Sequence, residues 1–399
     1  MRLVLIADCF PPLRTSGAVQ IRDLTRALVG QGHEVTVLLP GTDQPEAWRQ
    51  EEVDGACILR LKTPPTKDIS YFRRTLAELI MPYAMARNFA RSPLAQRRFD
   101  GVIWYSPSIF FAPLVRRLKR RSGCQSYLIL RDIFPDWAAD LGLLRRQSLP
   151  FRALSAVARA QYRAADVIGV QARGNLAWLR DLPPRTRAEV LQNWLGEAAS
   201  APAPARMDLS PLAGRKIFLY AGNMGVAQGL DVVIDLARAL QHREDVGFLF
   251  VGRGSEVAQL RRLAGGLPNV LFHGETDPDE IPGLCARCSA GLVVLDPRHR
   301  THNIPGKFLA YMQSGLPVLA CVNPGNDLAT IIRSERVGQV VEHRDLAALQ
   351  RRAGELLEEI LRDPELPNRC RALSRRDHTA HRAAEQISQA LAVGQPKRK

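Results

Sequence analysis

Apolar residues fall along this chain in short dense runs, separated by longer stretches with helical spacing. The first run, RLVLIAD at 2–8, is nearly all apolar, as a strand buried on both faces requires. After a loop, SGAVQIRDLTRALVGQGHEV carries Ile21, Leu24, Ala27 and Leu28 on one helical face, with Gly32 placed to end the helix and VTVLL (35–39) as the next strand. Further apolar runs at 101–106, 126–132 and 165–172 repeat the alternation. Such βαβ repetition predicts a parallel sheet with helices on both faces.

The pattern breaks at EAASAPAPARMDLSPLAGRK (197–216), where Ala, Pro and Ser replace periodicity and mark a linker. A second series of runs then follows at 216–222, 246–252, 269–274, 290–295 and 316–320. The expected fold is therefore α/β, with two Rossmann-like, doubly wound parallel-sheet domains over 1–197 and 198–369 and a closing helix at 370–393. Ligands of such sheets sit beyond the carboxyl ends of the strands, so the strand-end loops and the cleft between domains are where function is expected.

Charge adds one feature. The formal net charge is +15, and residues 70–163 alone hold 17 Lys/Arg against 5 Asp/Glu. There, arginines flank Leu79, Ile80, Met81 and Tyr83, a composition suited to an anionic membrane surface. A plain solvated basic face has the same composition. Nucleic acid would also attract this charge, but no recognised binding motif or interleaved aromatic platform accompanies it. The opening MRLVLIAD has only five apolar residues before Asp8, too few for a signal-peptide core, and no run approaches a membrane span, so a cytoplasmic protein is expected. Seven scattered cysteines fit reduced thiols, and CARC (285–288), with no second pair nearby, reads as structural.

Four strand-end loops carry candidate chemistry. In DCFPPLRTSGAVQIRDL, Ser16 and Gly17 stand before a helix whose positive end can face an anion. In YAGNMGVAQGLD, Gly222, Gly225 and Gly229 cluster at a strand-to-helix turn with Asn223 and Gln228 as neutral donors; tight turns alone would also explain the glycines. In HRTHNIPGKFLAYMQSG, Asn303 and Pro305 open a helix and leave the amides of Gly306, Lys307 and Phe308 unpaired beside the Lys307 ammonium, the components of a phosphate site. In LILRDIFPDWAADLGLL, Arg131, Asp132 and Asp136 follow a buried strand, where a carboxylate orients a hydroxyl, takes a proton, or serves as a cap or ion-pair partner. VGRGSEV (251–257) lacks the third glycine of a dinucleotide fingerprint, and TDPDE (276–280) reads as a capped helix start, so no metal site is expected.

The opening strand with SGAVQIRDLTRALVGQGHEVTVLLP, together with YAGNMGVAQGLD and IPGKFLAYMQSGLPVLA, resembles the retaining glycosyltransferases of family 4, most closely the WbuB-like branch of bacterial surface-polysaccharide and lipopolysaccharide synthesis. The resemblance runs over nearly the whole chain. It implies the GT-B architecture, with acceptor on the N-terminal domain, nucleotide-sugar donor on the C-terminal domain, and the last helix crossing back. It implies no metal and no cofactor beyond a nucleotide-sugar substrate. Gly17 falls at the family's loop near the donor phosphate. Asn223 and Gln228 stand where many members carry an arginine and a lysine, and two neutral amides grip a diphosphate less strongly than two cations. His302 and Ala310 stand where members usually carry two glutamates, the second of them on the nucleotide ribose. Losing that carboxylate costs about 1.5–3 kcal/mol, roughly ten- to a hundredfold in donor affinity.

The expectation is a retaining, metal-independent glycosyltransferase, peripheral on the inner face of the cytoplasmic membrane. It would move an N-acetylated amino sugar from UDP to a lipid-linked or lipopolysaccharide acceptor. Asp132 and Gly17 would be catalytic, and Ser16, Gly17, Gly222, Asn223, Gln228, Gly306, Lys307 and Phe308 would hold the donor. Two alternatives stay open: a GT-B sugar epimerase that needs no acceptor, and a donor-impaired partner protein at the membrane.

Overall fold

The computed structural model describes residues 1–393 apart from 14, 67–69, 180–181, 198–202, 204–205, 299 and 303, with the backbone alone at 71 and 72. The chain divides into two compact units: Met1–Gln192 together with the residues from Ala380 onward, and Asn193–Thr379.

The first unit holds β1 (Arg2–Ile6), β2 (Glu34–Gly41), β3 (Trp48–Val53), β4 (Ala56–Lys62), β5 (Gly101–Tyr105), β6 (Gln125–Leu130), β7 (Val167–Val170) and β8 (Arg187–Val190). They form one sheet in the order β3-β4-β2-β1-β5-β6-β7-β8, parallel except for β3. Leu3, Val4, Leu5 and Ile6 of the central strand are fully buried, because helices cover both faces of a parallel sheet. The antiparallel edge strand is WRQEEV, whose polar, partly exposed side chains discourage pairing with another chain. It is joined to β4 by Asp54-Gly55, both at positive φ (53° and 77°), the geometry a two-residue hairpin turn demands.

The second unit holds β9 (Lys216–Ala221), β10 (Val246–Val251), β11 (Val270–His273), β12 (Ala290–Val294), β13 (Val318–Cys321) and β14 (Gly338–Val341), all parallel, in the order β11-β10-β9-β12-β13-β14. One face carries an aromatic run: Phe218 stacks on Phe248 at 5.4 Å and Phe250 on Phe272 at 4.8 Å. β9 is the switch point, with β10 on one side and β12 on the other, and β12 pairs with it only through Ala290 and Gly291. Past that pairing, the Tyr311 hydroxyl accepts from Ala221 N at 2.9 Å and donates to Leu219 O at 3.0 Å, filling the gap in the ladder. Gly291 makes room for the ring: a Cβ there would lie 2.3 Å from it.

The expected boundaries need two corrections. The unit division falls at 192/193, not 197/198, because the chain from Asn193 is hydrogen-bonded into the second unit; part of the supposed linker also packs there, with Met207, Leu209 and Leu212 buried. The expected helix over 370–393 is two helices. Leu366–Asp377 stays in the second unit, Thr379 pairs with Leu195, and Ala380–Ala392 packs in the first unit, burying Ala383, Ala384, Ile387 and Leu391.

Candidate donor site

The second unit gathers glycines at the carboxyl ends of β9 and β10. Gly222 N donates to Val251 O at 2.9 Å, Met224 N to Arg253 O at 2.7 Å, and Glu256 N to Met224 O at 3.0 Å, so the two loops run side by side. A Cβ at Gly252 would lie 2.2 Å from Gly222 O, and one at Gly254 would lie 2.1 Å from Met224 O. The paired glycines of VGRGSE therefore serve to let one loop lie against another, a role that sequence reasoning missed when it tested them only against a dinucleotide fingerprint.

That packing shapes YAGNMGVAQG. Tyr220 donates its hydroxyl to Asn223 O at 2.6 Å, and the Gln228 Oε1 accepts from Gly225 N at 3.0 Å and from Asn223 Nδ2 at 3.4 Å. Asn223 is exposed, and the Nε2 protons of Gln228 have no partner among the described residues. Gly229, at φ 58°, turns the chain toward Asp296 at the end of β12, whose N–H donates to Ala227 O at 3.1 Å. Asp296 is buried and held by the Arg298 guanidinium through bonds of 2.9 and 2.7 Å.

The helix Gly306–Ser314 brings its first turn to the same place. Leu309, Tyr311 and Met312 are buried against the sheet, while Gly306 and Lys307 are only partly buried. The Lys307 ammonium lies 4.7 Å from the centre of the Tyr220 ring, and a Cβ on Gly222 would lie 3.6 Å from Lys307 Cε. Desolvation pulls the Lys307 pKa down to about 8. The amides of Gly306 and Lys307 have no partner among the described residues. The expectation for Phe308 needs correction: its N–H donates to Pro305 O at 3.0 Å, so two amides and not three are available. Its ring is buried, 6.1 Å from His378 and edge-on. Asn303 lies outside the described residues. Ala310, one turn past Lys307, is partly buried, and His302 Nδ1 accepts from Asp327 N at 3.2 Å, at the start of the helix Asp327–Glu335.

The remaining candidates belong to the first unit. Ser16 and Gly17 are the first residues of the helix Ser16–Gly30 and not a loop before it; Thr15 caps that helix, accepting from Ala18 N at 3.3 Å. A Cβ at Gly17 would lie 3.1 Å from Cys9 Sγ and 3.6 Å from the Tyr105 ring, so a side chain there would press on Cys9. Tyr105 donates to the buried Gln20 at 2.9 Å, and its hydroxyl pKa is raised chiefly by burial, with Arg131 opposing and Cys9, Asp132 and Asp8 adding smaller upward effects. Asp132, two residues past β6, Tyr105, the last residue of β5, and Gly17, at the start of the helix after β1, all stand at the carboxyl end of this sheet. Asp136 is an ion-pair partner, 2.6 Å from Arg146.

Two further expectations meet the structure here. On the helix Tyr71–Phe89, Leu76, Leu79, Ile80 and Tyr83 are 41–64% exposed along one face, whereas Met81 is buried in the core with Met85 and Phe89. Cys285 is buried, which pushes its thiol pKa up to about 12, and no group of potential metal ligands occurs among the described residues.

Residues 16–194 match the family described as glycosyl transferase 4-like domain, and residues 215–359 match glycosyl transferases group 1. The chain is a glycosyltransferase of the GT-B fold. WcaI of Escherichia coli K12, a glycosyl transferase named for colanic acid biosynthesis, is 27% identical over 365 residues, 86% of each chain. WbjE of Pseudomonas aeruginosa, a glycosyltransferase by name, is 25% identical over 313 residues, 77% of this chain and 76% of that one. HepE of Anabaena, solved with UDP and glucose, superposes with a TM-score of 0.68 at 12% identity, over 98% of this chain and 100% of that one. In this glycosyltransferase no described helix is long and apolar enough to cross a membrane.

Lys307 supplies a pH test with two opposite signs. Its side chain titrates near 8 when folded against an ordinary 10.5, so the unfolded chain binds more protons across that window and this group's contribution to stability rises with pH. Binding of a diphosphate that uses the ammonium falls as pH rises through 8. Nucleotide titrations from pH 7 to 9.5 should show weakening affinity, and Lys307→Met should bind more weakly with that pH dependence removed. An equally steep loss in the variant would exclude the ammonium as its source.

Proposed function

We propose that this glycosyltransferase moves a sugar, an N-acetylated amino sugar carried by UDP, to a lipid-linked or lipopolysaccharide acceptor with retention of configuration and without a metal. The observation that carries the reading is the Lys307 side chain beside the Gly222 loop, at the first turn of a helix whose Gly306 and Lys307 amides have no partner among the described residues. A departing diphosphate gains its stabilisation where charge develops, so a fixed cation and unpaired amides aimed at it lower the barrier. Asn223 and Gln228 add neutral donors. Asp132 is assigned to the acceptor or transferred sugar, where the carboxylate orders a hydroxyl. Front-face attack by the acceptor hydroxyl as UDP leaves retains the anomeric configuration. The UDP in the HepE complex and the colanic acid role in WcaI's name support donor and product class.

The acceptor assignment is supported by the helix Tyr71–Phe89. Leu76, Leu79, Ile80 and Tyr83 recur at i, i+3, i+4 and i+7, beside exposed Arg73, Arg74 and Arg87. An exposed apolar stripe rimmed by guanidinium groups suits the headgroup region of an anionic leaflet. The protein should sediment with vesicles containing phosphatidylglycerol but not with phosphatidylcholine alone. The variant combining Leu79→Ser, Ile80→Ser and Tyr83→Ser should lose most of that binding; unchanged sedimentation would remove the helix from the account.

A second reading, a donor-impaired partner protein, is favoured by Ala310, which leaves the ribose without the family's carboxylate. Calorimetric titration with UDP, ADP and GDP, with and without magnesium, separates the two. The expected result is UDP-selective, magnesium-independent binding that tightens about ten- to a hundredfold in Ala310→Glu. No nucleotide binding by either protein would favour the partner.

A further inference from the structure

The segment that enters the second unit, Asn193–Gly196, runs along the helix that carries Lys307. Asn193 is 1% exposed; its Nδ2 donates to Ile304 O at 3.1 Å and its Oδ1 accepts from Trp194 N at 3.0 Å. Its backbone carbonyl lies 3.1 Å from Nδ1 of the buried His378, and Leu195 N donates to His378 O at 3.0 Å. At the far end of the same helix, Gln313 Nε2 donates to Gly196 O at 2.8 Å. A nine-residue helix is thus tied at both ends to one four-residue strap.

We infer that Asn193 is a positioning residue for donor binding, an inference that rests on reading the Gly306–Lys307 turn as the diphosphate site. Among the described residues from Leu295 to Pro305 none belongs to a helix or strand that would fix the path of the chain. Two backbone amides bind an anion well only when their direction is set beforehand, since ordering them on binding would consume the gain. Ile304 is two residues before the first of those amides, and Pro305 between them allows little φ freedom. Holding the Ile304 carbonyl therefore sets the entry of the helix and the aim of Gly306 and Lys307. Asn193 does this from inside the protein, where loss of its amide leaves that carbonyl without its side-chain donor.

The test is titration of the full chain with UDP and with UMP, together with thermal unfolding, for the wild type and Asn193→Ala. Asn193→Ala should weaken UDP binding about tenfold and leave UMP binding unchanged, because only the distal phosphate meets the turn that Asn193 holds. Equal losses for UDP and UMP, or wild-type UDP affinity in Asn193→Ala, would overturn the inference by leaving Asn193 a purely structural residue. Should Asn193→Ala fail to fold, Gln313→Met loosens the strap at its other end; it should weaken UDP several-fold, and unchanged affinity there would equally overturn the inference. Failure of the wild-type protein to bind UDP would instead remove the donor reading itself.

Discussion

One phenol oxygen fixes the geometry of the second unit. Beyond Gly291 the β9–β12 pairing stops, leaving Leu219 O and Ala221 N without a neighbouring strand, and the Tyr311 hydroxyl meets both. Buried backbone groups left unpaired cost about as much as a lost hydrogen bond, so the opening of a sheet at its switch point needs such a substitute. Because Tyr311 lies one turn past Lys307 on the same helix, the bond that completes the sheet also sets where the ammonium stands. Switch-point crevices are ligand sites for topological reasons; here the closure of the crevice floor and the placement of its cation are a single interaction.

The rest of the site follows from economy of charge. Lys307 brings a cation to the Gly222 loop, where it lies over an aromatic ring with its pKa depressed. Arg298, at the end of β12, is committed to Asp296. Asn223 and Gln228 are partly spent on the shape of their own turn. On the donor reading proposed above, a diphosphate here would be held by a few preorganised dipoles and the Lys307 ammonium, an arrangement that would trade ground-state grip for stabilisation of the leaving group.

The ten apolar runs read from the sequence all became strands, because burial on both faces writes itself as continuous hydrophobicity. The missed strands are those without that signature. β3 is polar on an edge, β4 is separated from it by an unheeded Asp-Gly turn, and β8 and β14 are four residues each. In the site, the Gly222 loop and the Gly306–Lys307 turn were legible as local motifs. Tyr311, 90 residues from the backbone it completes, and Asn193, 111 residues from the carbonyl it holds, were not, since neither has a local pattern. Gly252 and Gly254 illustrate the same limit: their partner is another loop's backbone, which sequence does not display.

The most direct measurement is the crystal structure of the protein with UDP and a metal chelator. The account predicts the distal phosphate within hydrogen-bonding distance of the Gly306 and Lys307 amides and of Lys307 Nζ, with Tyr311 still bridging Leu219 and Ala221. UDP bound in the second unit with its diphosphate away from that turn would contradict it.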